Sequence, residues 1–231
     1  MEIIAEIGQN HNGDMELARR LIHSAKENGA DVAKFQLYEA RSLFSRNDNP
    51  WFEYNCKTEL SRKNIEDLNK ICDEVGIEFM ASAFDVERIS WLEAINVKRH
   101  KVASRSIHDQ TLVEALAKTG KPVLVSLGMW NEEKFPIIAS NEIDYLYCIS
   151  KYPTPLKDIH LKDVDFSLYT GFSDHSIGIS AACAALARGA SIIEKHFTLD
   201  KSMYGPDHEG SMTPEELNNL SSFRNDMKEC L

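Results

Sequence analysis

Arg188-Gly189-Ala190-Ser191-Ile192-Ile193-Glu194-Lys195-His196 is the stretch that decides the fold. The run before it, Ile179 to Arg188, carries apolar residues at three- and four-residue spacing, the period of a helix with one buried face. Gly189 then stands where a helix ends in left-handed backbone, which glycine enters without steric cost. A short apolar strand follows at once, Ile192 to Lys195, and it closes on polar side chains able to hold a proton or a metal.

The same helix–glycine–strand join recurs at Asn28-Gly29, Val75-Gly76 and Thr119-Gly120. Working outward from these joins, strands are expected at Ile3–Glu6, Val32–Gln36, Glu78–Ser82, Arg99–Ser104, Val123–Ser126, Tyr145–Cys148, Thr170–Ser173 and Ile192–Lys195. Amphipathic helices are expected at Met15–Asn28, Ser61–Val75, Val86–Ile95, Gln110–Thr119 and Ile179–Arg188. Strands alternating with helices imply a parallel sheet. No Gly-x-Gly-x-x-Gly follows any strand, and eight strands suit a closed barrel better than an open sheet. The expected fold class is α/β, a (β/α)8 TIM barrel, with one domain over residues 1–231.

Two segments break the rhythm. Tyr38 to Leu60 is a long insertion after the second strand, and Ser150 to Leu168 holds two prolines and room for one short helix. Loops of this length after barrel strands shape the active-site face.

Composition narrows the function classes. The net charge of −10 works against a general field for nucleic acid or anionic lipid, so an anionic ligand must be met locally. The five cysteines, Cys56, Cys72, Cys148, Cys183 and Cys230, form no CxxC pair and read as free thiols. Met1 to Glu6 lacks a basic and apolar leader pattern, and no run of some 18 apolar residues occurs, so a cytoplasmic location without membrane insertion is expected.

In a parallel barrel the C-terminal strand ends meet at one mouth. The polar residues closing the strands are Glu6, Lys34 with Gln36, Ser82, Lys101 with Ser104, Ser126, Ser150 with Tyr152, Ser173 with His175, and Glu194 with His196. Lysines supply point charge and serines neutral donors, which suits a phosphate or carboxylate. Two histidines from adjacent strands can hold one divalent metal and leave positions open. Each residue also has a plain structural role: a lone lysine at a strand end is a solvated rim group, and His23, His100, His108 and His160 read as structural. Asn10-His11-Asn12-Gly13 serves equally as a helix-entry loop, with Asn12 or Asp14 as N-cap, which leaves His11 without a role. Ser126-Leu127-Gly128-Met129 is either a plain turn or a close backbone approach to an anion.

Taken together, these motifs resemble the N-acetylneuraminate (sialic acid) synthase family along nearly the whole chain. The matching segments are Ala5-Glu6-Ile7-Gly8 with Asn10-His11-Asn12-Gly13, Ala33-Lys34-Phe35-Gln36, Lys101-Val102-Ala103-Ser104, Tyr152-Pro153-Thr154-Pro155, Ser173-Asp174-His175-Ser176-Ile177-Gly178, and Glu194 to Asp200 with Gly205-Pro206-Asp207-His208. The resemblance implies a transferase that condenses phosphoenolpyruvate with the open-chain aldehyde of an N-acylated hexosamine such as N-acetylmannosamine, giving a nonulosonic acid and phosphate. It implies a Mn²⁺ or Mg²⁺ cofactor on His175 and His196. Glu6 and Glu194 are implied as proton-handling or water-orienting carboxylates. Lys34, Lys101, Ser82, Ser104, Ser126 and Ser173 become the phosphoenolpyruvate pocket, and Gln36, Tyr152 and Asp207 sugar contacts, with Ser150 beside them.

Three departures accompany the match. Arg105 and Ser106 stand where the family has glycine and an acid, and Ser150-Lys151 replaces an asparagine position. The C-terminal antifreeze-like domain of many members, which reaches across a domain-swapped dimer, has no counterpart within the 231 residues. An open site, cover by another chain such as a second copy in a homodimer, or lower activity would each accommodate that. Two other functions fit the same residues: a Schiff-base aldolase of pyruvate using Lys34, Lys101 or Lys195, and a weakly active ligand-binding barrel.

Overall fold

The eight apolar runs pair in chain order and the last pairs with the first, closing a parallel barrel. In the computed structural model the strands are β1 (Glu2–Gly8), β2 (Val32–Leu37), β3 (Glu78–Ala83), β4 (His100–Val102), β5 (Val123–Ser126), β6 (Ile143–Cys148), β7 (Gly171–Asp174) and β8 (Ile192–His196). The helices are α1 (Met15–Glu27), α2 (Ala40–Leu43), α3 (Phe52–Thr58), α4 (Arg62–Val75), α5 (Val86–Ala94), α6 (Gln110–Lys118), α7 (Ser180–Ala187) and α8 (Pro214–Cys230). Residues 1–140 and 142–230 are described; Asn141 and Leu231, both inside the expected domain span, lie outside them. Among the described residues no helix is long and apolar enough to cross a membrane, and all five cysteines are free.

Strand alternation sorts the side chains into two cores. Ile3, Ala5, Ile7, Ala33 and Phe35 belong to the large cluster that includes the helix faces. Ile4, Val32, Met80, Leu124, Leu146 and Ile192 form a separate buried layer inside the barrel. Two residues further along five of these strands the interior side chains turn polar, to Glu6, Lys34, Ser82, Ser126 and Glu194, with Cys148 following Leu146 on the sixth, and this step from apolar to polar positions the site. Below the apolar layer the barrel is closed by Arg99, which bonds Glu2 at 2.7 Å and Glu78 at 2.9 Å.

The expected joins hold: Gly29, Gly76, Gly120 and Gly189 all have positive φ. Asp14, not Asn12, caps α1, accepting from the Glu16 and Leu17 amides. Asn12 itself takes φ of 53° and its Oδ1 accepts from Tyr54 Oη at 2.6 Å, tying the entry loop to α3. β4 is shorter than the expected Arg99–Ser104, because a 3-10 turn over Ser104–Ser106 takes the chain away from its neighbours. The Tyr38–Leu60 insertion folds into α2 and α3. Ser150–Leu168 holds two 3-10 turns, Leu156–Asp158 and Leu161–Asp163, in place of one short helix.

Candidate active site

The interior polar layer forms one connected charge network. Lys34 Nζ lies 2.7 Å from Glu6 Oε2 and 3.3 Å from Glu194 Oε2, and Lys101 Nζ lies 3.8 Å from Glu194 Oε1. All four side chains are buried. The strand register makes the contacts unavoidable, since Glu6 sits opposite both Lys34 and His196 while Ser82 sits opposite Lys101. Hydroxyls and an amide complete it: Lys34 donates to Ser82 Oγ at 3.3 Å, Lys101 to Ser126 Oγ at 2.8 Å, Ser173 to Glu194 Oε1 at 2.8 Å and Gln36 to Glu6 Oε1 at 2.8 Å. Gly8, in the left-handed region, leaves room for that last contact: a Cβ there would lie 3.2 Å from both Gln36 Nε2 and Glu6 Oε1.

The network favours the charged forms of Glu194 and Lys34. Burial alone would raise the Glu194 carboxyl, but Lys101, Lys34 and the Ser173 hydroxyl outweigh it and hold it below the usual carboxylate range. Burial alone would lower the Lys34 ammonium, and Glu194 and Glu6 reverse that. For Lys101 burial wins over Glu194, and its ammonium falls below its ordinary value.

At the rim, His175 and His196 present rings with centroids 5.9 Å apart, and Tyr152 packs on His175 at 4.1 Å. His175 Nδ1 donates to the Ile149 carbonyl at 2.9 Å, which assigns the proton to that nitrogen and leaves Nε2 as a lone pair. Burial, with repulsion from His196, pushes His175 down to about 3, so the ring is neutral. His196 Nδ1 is buried without a hydrogen-bond partner. Two imidazole lone pairs on adjacent strands are a donor set that suits a divalent metal. No group of three or more His, Cys, Asp or Glu converges in that way among the described residues, so further positions would fall to water or substrate.

Of the residues singled out from sequence, Glu6, Lys34, Gln36, Ser82, Lys101, Ser104, Ser126, Tyr152, Ser173, His175, Glu194 and His196 line one inner recess. Ser150 and Asp207 line a wider outer cavity that shares Gln36, Ser104, Tyr152 and His196 with it. Ser150 Oγ donates to Ser104 Oγ at 2.9 Å. Lys195 also borders the inner recess, but, one residue out of phase with Glu194, it is fully buried and its ammonium bonds Asp174 Oδ2 at 3.0 Å. Of the histidines expected to be structural, His100 bonds Glu93 at 2.9 Å and His108 stacks on Trp130 with ring centroids 5.4 Å apart.

Sequence reasoning missed Cys148, whose inward position follows from Leu146 by alternation and whose thiol burial pushes up to about 11. It also missed an aromatic wall of Phe44 and Phe84 in the outer cavity, for which the sequence carries no signal because Phe44 arrives from the insertion.

The barrel with its charged inner recess is that of a known enzyme class. The chain belongs to the NeuB family, whose model matches residues 21–231. It is 38% identical to the N,N'-diacetyllegionaminic acid synthase of Legionella pneumophila over 94% of this chain and 69% of that protein. It is 36% identical to the human N-acetylneuraminate-9-phosphate synthase over 94% of this chain and 67% of that one. Among solved structures, the N-acetylneuraminic acid synthetase of Leptospira borgpetersenii superposes with a TM-score of 0.91 at 33% identity, covering 99% of this chain and 84% of that one.

Proposed function

We propose that the protein condenses phosphoenolpyruvate with the open-chain aldehyde of an N-acylated hexosamine, forming a nonulosonic acid and inorganic phosphate. The observation that carries this is the pair Lys34 and Lys101 in one recess, sharing Glu194 and ringed by Ser82, Ser126 and Ser173. Two buried ammonium groups with neutral hydroxyl donors are suited to a small, highly charged anion. The family membership and the synthase names of the relatives support the same chemistry.

In the reaction C3 of phosphoenolpyruvate bonds to the aldehyde carbon, the aldehyde oxygen takes a proton, and water adds at C2. The tetrahedral intermediate then loses phosphate by C–O cleavage, leaving the ketone. Lys34 and Lys101 hold the donor's charge and offset what develops on its phosphate as it departs. Glu6, clamped by Lys34 and Gln36, and Glu194, clamped by both lysines and Ser173, are fixed acceptors that orient the water and take its proton. Gln36, Tyr152 and Asp207 face the sugar side. His175 and His196 would hold a Mn²⁺ or Mg²⁺ ion, which supplies Lewis-acid polarisation of the aldehyde oxygen when bound. Lys101 also favours a second reading, an imine-forming pyruvate aldolase, because burial lowers its ammonium.

Phosphate release from phosphoenolpyruvate with Mn²⁺ and N-acylated mannosamines tests the assignment. Acceptor-dependent release in step with product is expected, with Mn²⁺ binding by calorimetry lost in His196→Ala. A pyruvate adduct trapped on Lys101 by borohydride would replace the synthase with the aldolase. Activity that survives both His196→Ala and chelation would remove the metal from the histidines.

A further inference from the structure

The outer cavity contains an arginine with nothing to hold. Arg88 pairs with Asp85 and Glu87 at 3.3 Å, Arg99 with Glu2 and Glu78, and Arg224 with Asp31 at 2.6 Å. Arg105 makes no ion pair within 4.0 Å and no hydrogen bond among the described residues, in a chain with 36 acidic residues against 26 basic ones. It is exposed, yet it is not loose. Its Cζ lies 5.2 Å from the Phe44 ring centroid and 5.9 Å from that of Phe84, and Phe44 in turn packs edge-on against Tyr38 at 5.5 Å. The two aromatic rings attract the guanidinium electrostatically but accept none of its five N–H donors. A planar fork is thereby presented to the cavity with its donors free.

The rest of the cavity shows which molecule would meet the fork. His196 and Tyr152 line both the inner recess and the outer cavity, so the end of an acceptor that reacts must lie at their junction. Arg105 stands on the outer wall, with Asp207 as the one carboxylate among the described residues lining that cavity. The two do not pair, so Asp207 remains free for sugar hydroxyls while Arg105 is left for a group of opposite charge. A neutral sugar would satisfy the first and leave the second to water. A carboxylate or phosphate accepts bidentate N–H bonds from guanidinium and matches it in both charge and geometry.

We infer that the acceptor is an anionic sugar, bearing a carboxylate or phosphate away from its aldehyde, and that Arg105 on its Phe44/Phe84 wall is the residue that selects it. This rests on the synthase reading above and narrows its substrate class.

The test compares N-acetylmannosamine, its 6-phosphate and the corresponding uronate as acceptors for the wild type, Arg105→Gln and Arg105→Lys. One charged acceptor is expected to exceed the neutral sugar in kcat/KM by about 10- to 100-fold, through KM, the scale of a charge-assisted bidentate contact. Arg105→Gln should collapse that ratio towards one, Arg105→Lys should restore part of it, and added salt should shrink it in the wild type. Whichever charged sugar is preferred identifies phosphate or carboxylate. A wild-type preference for the neutral sugar, or a ratio unmoved in Arg105→Gln, overturns the inference while leaving the synthase intact. A rise in KM for phosphoenolpyruvate that is the same with every acceptor also overturns it, because Arg105 would then serve the donor. If no acceptor releases phosphate, the synthase reading fails by itself, and calorimetric binding of the three sugars decides the inference: tighter binding of a charged sugar that Arg105→Gln abolishes upholds it, and equal binding overturns it.

Discussion

Lys195 Nζ lies 3.0 Å from Asp174 Oδ2, with both side chains fully buried, one strand position away from the histidines at the recess. Asp174 Oδ1 also accepts from the Ser176 amide at 2.8 Å, and Lys195 donates to the Ser176 carbonyl, so the pair pins the turn that follows His175. Removing one partner of a buried pair strands the other charge. Lys195→Met is therefore expected to lower stability to urea by about 3–5 kcal/mol, whereas Lys195→Met with Asp174→Leu should cost clearly less. Equal costs for the single and double variants would show that the pair has no coupling.

Gly128 tests how closely the turn after β5 must approach the site. A Cβ there would lie 2.6 Å from Ser150 Oγ, 2.8 Å from Cys148 Sγ and 3.0 Å from Ser104 Oγ. Contacts that short must be relieved by moving side chains that line the recess and the outer cavity. Gly128→Ala should cost about 1–3 kcal/mol, the scale of overpacking, and raise the KM for the acceptor. Ser150→Ala in the same chain should recover part of both, and an alanine tolerated without cost would mean that the turn moves freely.

The barrel was legible because each of its signals is local. A glycine after an amphipathic run and a short apolar strand are written within a dozen residues, and the interior positions of a strand then follow by alternation. The inner recess inherits that legibility: once Ile4, Val32 and Ile192 face inward, Glu6, Lys34 and Glu194 must as well. Lys195 shows the limit of a list of strand-end lysines, since one step in register ties its ammonium to Asp174 and not to the Lys34, Lys101 and Glu194 network, although it still borders the recess. The outer cavity was less legible for a different reason. Its wall is built where α2 and the loop beside it fold back over the mouth, and nothing near Phe44 in sequence indicates that it will meet Arg105 and Phe84. The role of His11, too, depends on its surroundings, which no sequence pattern fixes.

His11 is fully buried beside Phe35, its Nδ1 accepts from the Gly13 amide at 3.2 Å, and its Nε2 has no hydrogen-bond partner. Burial pushes it down from 6.5 to about 4, with Asp14 opposing only in part. The unfolded chain therefore binds the proton first as pH falls. The neutral ring's contribution to stability is whole above about 6.5, declines below it and is lost as pH drops through about 4. Linkage sets the size at about 2 kcal/mol between roughly pH 7 and pH 5. His11→Asn keeps an acceptor near the Gly13 amide but cannot titrate, so its urea stability should fall less than that of the wild type over this interval, by about that amount. Comparing the two proteins cancels the other buried histidines, which His11→Asn leaves in place. Parallel pH profiles would show that His11 is not held neutral by the fold.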